Sequence, residues 1–213
     1  MTAAFDQALQ RELDALAVGG LLIGHRIIQP GDETALRAEE AVALASRPPS
    51  ARRASGAARI VARALLARLG YPGALLPKGA GGEPLWPPGI VGSLAHDDDV
   101  AVAAVASTRD FASIGIDAEP ARALPADMLD LVVTPPERRM IADDLLRAKL
   151  LFAAKEAVYK AVYPVDRVFL EFGDIQVDLL ASKATMRSGR VVSLRTCASS
   201  RIVVLALIRA DQA

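Results

Sequence analysis

The stretch VAVAAVASTRDFASIGIDAEP, residues 100–120, sets the architecture. Val100 to Ala106 is a run of small apolar residues with no charge, the pattern of a strand buried on both faces. Polar residues interrupt it near 108–112. Ser113 to Ala118 reads as a second buried strand, and it runs out into Glu119-Pro120. A division at this break gives halves of similar size, residues 1–110 and 111–213. The pattern alone fits one large domain or two small ones.

Upstream, Phe5, Leu9, Leu13 and Leu16 lie at helical spacing and predict a helix over 4–16. Gly19-Gly20 ends it, and Leu21 to Ile28 reads as a strand. A helix is predicted over 34–46, between Pro30-Gly31 and Pro48-Pro49. Another runs from about Ser55 to Leu69, stopped by Gly70. Residues 71–91 are rich in Pro and Gly and read as irregular. Downstream, residues 134–163 are helical in pattern, with Pro135-Pro136 near a start and Pro164 as the stop. Strands are predicted near 169–178, 190–196 and 201–209. Helices and strands mix without strict βαβ alternation, so the fold class is α+β.

Composition narrows the function. With 52% hydrophobic and 23% charged residues, the 213-residue chain can bury a sizeable core. Lys+Arg 25 against Asp+Glu 25 leaves no net charge. That argues against a nucleic-acid coat or a polybasic membrane binder, which need surplus positive charge. No apolar run reaches the roughly 18–20 residues of a membrane span. Residues 1–6 lack the basic-then-apolar order of a secretory leader. One cysteine, Cys197, permits neither an internal disulfide nor a cysteine zinc cluster. A cytoplasmic location is expected.

Four constellations bear chemistry. In Gly115-Ile116-Asp117-Ala118-Glu119, residues two apart share a strand face. Asp117 and Glu119 therefore project together, with Ile116 and Ala118 on the buried side. Paired hard oxygens suit magnesium, although the same triplet also fits a strand leaving the core into solvent. In Phe152-Ala153-Ala154-Lys155-Glu156-Ala157-Val158-Tyr159-Lys160, helical spacing puts Phe152, Lys155, Glu156 and Tyr159 on one broad face. Glu156 and Lys160 stand at i, i+4. That face reads either as a solvated charge pair or as a third carboxylate beside a phosphate-contacting lysine. Gly92-Ser93-Leu94-Ala95-His96 offers a hydroxyl and an imidazole that can hydrogen-bond phosphate, although a lone histidine is more often structural, while Asp97, Asp98 and Asp99 read as a solvated turn. Arg52, Arg53, Arg59 and Arg63, with Lys78, form a basic set able to fork onto phosphates or simply to coat a helix.

In this order the segments resemble the 4′-phosphopantetheinyl transferase family, of the enterobactin-synthetase-activating type. Lys78-Gly79-Ala80-Gly81-Gly82-Glu83-Pro84-Leu85-Trp86-Pro87 is similar to its Lys-Gly-x-x-Gly-Glu-Pro-x-Trp-Pro stretch. Gly92 to His96 resembles Gly-Ser-x-x-His. Gly115 to Glu119 resembles Gly-Ile-Asp-x-Glu, and Phe152 to Lys160 resembles Phe-x-Ala-Lys-Glu-x-x-x-Lys. Arg59-Ile60-Val61-Ala62-Arg63 is similar to the upstream Arg-x-x-Ala-Arg run. The likeness covers roughly residues 50–180.

The resemblance implies two similar halves with pseudo-twofold symmetry and a ligand cleft between them. It implies Mg2+-dependent transfer of the 4′-phosphopantetheine arm of coenzyme A to a serine of an acyl or peptidyl carrier protein. The coproduct is 3′,5′-ADP, and the setting is secondary metabolism. By resemblance, Asp117, Glu119, Glu156 and the backbone carbonyl of Ala118 hold the metal. Glu156 and Lys155 are catalytic. Arg52 or Arg53, Arg59, Lys78, Ser93, Ala95, His96, Lys155 and Lys160 hold coenzyme A. A monomer is expected, with neither nucleic acid nor membrane as partner. The alternative is a non-catalytic coenzyme A or carrier-protein binding module, which would tolerate loss of the carboxylates.

Overall fold

The computed structural model describes residues 4–212; residues 1–3, where the leader expectation begins, and residue 213 lie outside it. The elements run α1 (Gln7–Leu16), β1 (Leu21–Ile27), α2 (Ala38–Val42), α3 (Pro49–Arg68), β2 (Ile90–His96), β3 (Val100–Ser107) and β4 (Phe111–Pro120). There follow α4 (Leu129–Val132), α5 (Pro135–Ile141), α6 (Leu145–Asp166), β5 (Ile175–Asp178), β6 (Lys183–Met186), β7 (Val191–Ala198) and β8 (Arg201–Arg209). The fold is α+β, with two antiparallel sheets of order β1-β3-β2 and β4-β8-β7-β6-β5.

Alternation along β3 explains its all-apolar sequence. Val100, Val102, Ala104 and Ala106 face a core shared with Ile114, Ile116 and Ala118 of β4, Val203, Leu205 and Leu207 of β8, and the α1 leucines. Ala103 and Val105 face the other way, onto Val61, Ala62, Leu65 and Leu66 of α3. β8 does the same for the second sheet, turning Ile202, Val204, Ala206 and Ile208 toward α6. Each sheet thus packs one face on the other sheet and one on a long helix.

The two halves are similar in a further detail. Glu40, third in α2, accepts from the Arg37 and Leu76 backbone N–H groups and from Arg63, with Arg59 Nε at 3.8 Å. Glu137, third in α5, accepts from the Thr134 and Val177 backbone N–H groups and from Lys155 Nζ at 2.7 Å. Both glutamates are buried. In each half one carboxylate closes the start of a short helix, receives the returning chain and anchors a cation of the long helix.

Several expectations need correction. The helix over 34–46 is a 3-10 turn at Asp32–Ala35 and the short α2, because extended Arg37 breaks the ladder where Glu40 turns inward. The third helix starts earlier, with Pro49 in its first turn, where a missing N–H costs nothing. Residues 134–163 split at Ala142 and Asp143, both left-handed. Pro164 does not stop α6, which runs on to Asp166 and ends when Arg167, left-handed, donates to the Tyr163 carbonyl. Phe5 lies outside α1, stacked on His25 at 4.9 Å, and Asp6 caps the helix instead. Strands β2 and β6 were not anticipated. Among the described residues no helix is long and apolar enough to cross a membrane.

Candidate active site

The site is built where α6 meets the edge strand β4. Gly115 makes that meeting possible. A Cβ there would fall 1.9 Å from the Ala157 carbonyl oxygen, so only glycine lets the helix lie this close. Two residues on, Asp117 points to the same side, and Lys160 Nζ donates to Asp117 Oδ1 at 2.7 Å and to the Ile116 carbonyl at 3.1 Å. The expected Glu156–Lys160 pair gives way to this contact. Ile116 directs its N–H off the sheet edge to Ser93 Oγ of β2, 3.0 Å away, which ties the two sheets together. Ala118, next but one along the strand, presents its backbone at the same edge.

Along this β2–β4 seam runs a cleft of about 590 Å³. One wall carries Arg59 of α3, Lys78, and Ser93, Ala95 and His96 of β2; the other carries Glu156, Tyr159, Lys160 and Tyr163 of α6. β2 can line that wall because Gly92 lies flat under the Trp86 ring, 2.5 Å from where its Cβ would be. The basic wall crowds its cations, with Arg59 and Arg47 beside Lys78 and the Glu40 carboxylate behind Arg59 at 3.8 Å. Burial, then the neighbouring Arg59 and Arg47 charges, pushes the Lys78 amine below its ordinary range. Although water reaches His96, surrounding protein and then Lys160 hold its imidazole below the usual range. Such a surface favours an anion. Arg59 is buried, its Nε on the Leu76 carbonyl and Nη1 on Ser55 Oγ, and offers the cleft a held rather than a mobile charge.

Opposite, burial and then the Asp117 charge push the Glu156 carboxyl up; Lys160 opposes this and Glu119 adds to it. Three carboxylates therefore act on one another. Even so, among the described residues no three His, Cys, Asp or Glu side chains lie close enough to hold a metal together. Lys149 Nζ sits on Glu119 at 2.6 Å, as Lys160 sits on Asp117. Asp117 Oδ2, however, is buried with no hydrogen-bond partner. An orphaned carboxylate oxygen beside a carboxyl that resists ionising fits a hard divalent cation in kind.

Three expected ligand contacts are not brought to the cleft. Lys155 is fully buried on the far side of α6, donating to Glu137, to the Val132 carbonyl at 2.7 Å and to the Phe172 carbonyl at 3.0 Å. Arg53 pairs with Glu33 at 3.3 Å and Arg52 is exposed; neither lines the cleft. Arg63 is likewise spent on Glu40 and the Ala35 carbonyl. Asp97 and Asp99, read as a solvated turn, pair with Arg201. Tyr163 and Arg167, which do line the cleft, were missed. They follow Tyr159 at i+4 and i+8; Tyr163 lies within the predicted helix on the Tyr159 face, and Arg167 lies beyond the premature stop at Pro164.

Residues 38–106 match the 4′-phosphopantetheinyl transferase N-terminal domain, and residues 113–202 match the 4′-phosphopantetheinyl transferase superfamily. The chain is 39% identical over 180 residues to 4′-phosphopantetheinyl transferase Npt of Nocardia iowensis, covering 83% of this chain and 81% of that one. It is 39% identical over 159 residues to 4′-phosphopantetheinyl transferase PptT of Mycobacterium tuberculosis, covering 73% and 70%. Likeness to enterobactin synthase component D of Salmonella typhimurium is confined to 94 residues at 35% identity, 41% of this chain and 38% of that protein, so the enterobactin type is supported only weakly. With two such transferases matched over more than two thirds of their length, the chain belongs to the 4′-phosphopantetheinyl transferase family.

Proposed function

We propose that this protein transfers the 4′-phosphopantetheine arm of coenzyme A to a serine of an acyl or peptidyl carrier protein. The observation that carries this is the cleft's division of labour. A cationic wall of Arg59 and Lys78, with the uncharged His96 imidazole beside them, faces a wall of Glu156 and Lys160 with Asp117 behind it. The cationic wall suits the phosphates of coenzyme A. Asp117 and Glu156, with the Ala118 backbone at the strand edge, would hold Mg2+, and Glu119 would join them on leaving Lys149. When bound, that ion would draw charge from the diphosphate and favour departure of 3′,5′-ADP.

The chain's own residues account for the rest. Glu156, kept from ionising too readily by burial and by Asp117, is placed to accept the proton of the attacking serine hydroxyl. The serine oxygen bonds to the phosphorus bearing pantetheine, and the bond from that phosphorus to 3′,5′-ADP breaks. Lys160 and Lys78 offset the charge left on the departing phosphate. Lys155 takes no part in this step. One chain encloses the whole cleft, so a monomer suffices.

The test is transfer of a labelled pantetheine arm from coenzyme A to several apo carrier proteins, with Mg2+. Transfer is expected, and Asp117→Ala and Glu156→Gln should each abolish it with the fold intact. No transfer to any carrier by folded protein, or full turnover in both variants, would overturn the reading. Calorimetry adds a second measure. Coenzyme A should bind more tightly with Mg2+ present, whereas a bare binding module would show little metal effect.

A further inference from the structure

Residues 77–85 lean from the first half across the cleft mouth to the end of α6. We infer that this segment is a flap, latched shut by the Glu83–Arg167 ion pair, which must release for coenzyme A to enter or leave. The inference rests on the proposed function for its ligand, but the latch itself is read from the free protein.

The segment is tied mostly to itself. Gly79 N–H donates to the Glu83 carbonyl at 2.7 Å, Gly82 N–H to Gly79 at 3.0 Å and Leu85 N–H to Pro77 at 2.9 Å. Lys78 and Pro84 pair as an isolated bridge. A hairpin closed by so few bonds can lift and fray together, freeing these N–H groups to water. Its hold on the second half is narrow. Glu83 Oε1 accepts from Arg167 Nη1 at 2.5 Å, and the bare backbone of Gly81 lies against the Tyr163 hydroxyl, 2.0 Å from where a Cβ would sit. The Arg167 guanidinium lies over the Tyr163 ring at 5.6 Å, so two stacked side chains meet the flap at the helix end, and the ion pair is the charged contact of the two.

The closed position is only half satisfied. Glu83 Oε2 is buried with no hydrogen-bond partner, and opening would return it to water. Arg167 is 60% exposed at the side chain, so the pair is open to solvent on one flank and screened by salt. These are properties of a strap that opens readily. Lys78, at the base of the flap, faces the cleft among other cations, so a bound anion draws the base of the flap inward.

Two measurements on the full-length protein test this. Amide hydrogen exchange in the free protein reads Gly79, Gly82 and Leu85. Stopped-flow fluorescence of Trp86, the single tryptophan, reads coenzyme A association and dissociation without any carrier protein. Glu83→Gln and Arg167→Gln should each speed flap exchange and coenzyme A release by about threefold or more, less so in high salt. The double variant should do no more than either single one, because one contact is lost in all three. Exchanging the charges, Glu83→Arg with Arg167→Glu, should restore slow exchange.

Flap exchange unchanged in both single variants would overturn the latch. So would effects that add in the double variant, or faster exchange with coenzyme A rates unaltered. A wild-type protein that binds no coenzyme A would sink the functional reading instead, while faster exchange in the variants would still establish the latch.

Discussion

Lys155 and Glu156 are neighbours on α6 with opposite duties. Lys155 Nζ is buried against Glu137 and two carbonyls, while Glu156 faces the cleft. Removing Lys155 leaves the Glu137 charge buried without its cation, a loss of about 3–5 kcal/mol. Lys155→Ala should therefore lower the urea midpoint sharply. Lys160→Ala should lower the midpoint less, because Lys160 is 29% exposed at the side chain where Lys155 is fully buried, and should weaken coenzyme A binding. The reverse pattern would make Lys155 the phosphate contact. Glu156 carries the opposite sign. Its folded pKa lies above the unfolded one, so its ionised form strains the fold once pH rises through that folded value. Glu156→Gln should then raise the melting temperature of the free protein at neutral pH while abolishing transfer, the usual trade at a site shaped for chemistry. An equal or lower melting temperature in that variant would remove the claim that the carboxyl is held under strain.

At the level of elements, the site depends on how closely α6 lies on β4. Gly115→Ala places a methyl against the Ala157 carbonyl, with the Ala161 nitrogen 2.7 Å away. Both are helix backbone and cannot step aside. The helix must lift, at about 1–3 kcal/mol of overpacking, and Lys160 must part from Asp117. Stability and coenzyme A affinity should fall together in this variant, read by urea unfolding and calorimetry. Much of this arrangement was legible beforehand. The alternation in residues 113–119 foretold which side of β4 is core and which is acidic, and the apolar runs located β3 and β8. What was hidden lay in long-range partners. β2 was missed because Gly92-Ser93 has poor strand character by itself; pairing with β3 and the Trp86 ring impose it. A helical wheel sets Lys155 and Glu156 on one broad face, and only Glu137, 18 residues upstream of Lys155, decides that the lysine turns away. Pro164 carries a stop signal that the last turn of α6 overrides, since the ring forfeits a single bond near a helix end.

For the molecule as a whole, the cleft lies between halves that share a core. The cluster around Phe111 draws on α1, β1 and β3 from one side and on β4 and β8 from the other, all at low exposure. Neither sheet can leave the other without exposing Leu13, Val102, Ile116 and Leu205 together, an apolar surface no small domain carries freely. The seam is also bonded. Ser93 Oγ receives the Ile116 N–H at 3.0 Å, and Ser93→Ala would strand that buried donor at a cost of about 1–3 kcal/mol. Unfolding should accordingly be one transition. Trp86 lies on the first-half wall of the cleft and reports that side alone, whereas far-ultraviolet circular dichroism sums over both halves. In urea the two signals should share a midpoint, and in Ser93→Ala both should shift by the same amount. If the Trp86 signal moved while the circular dichroism midpoint stayed, the halves would be separately folding units. The cleft between them would then be a hinge rather than a wall.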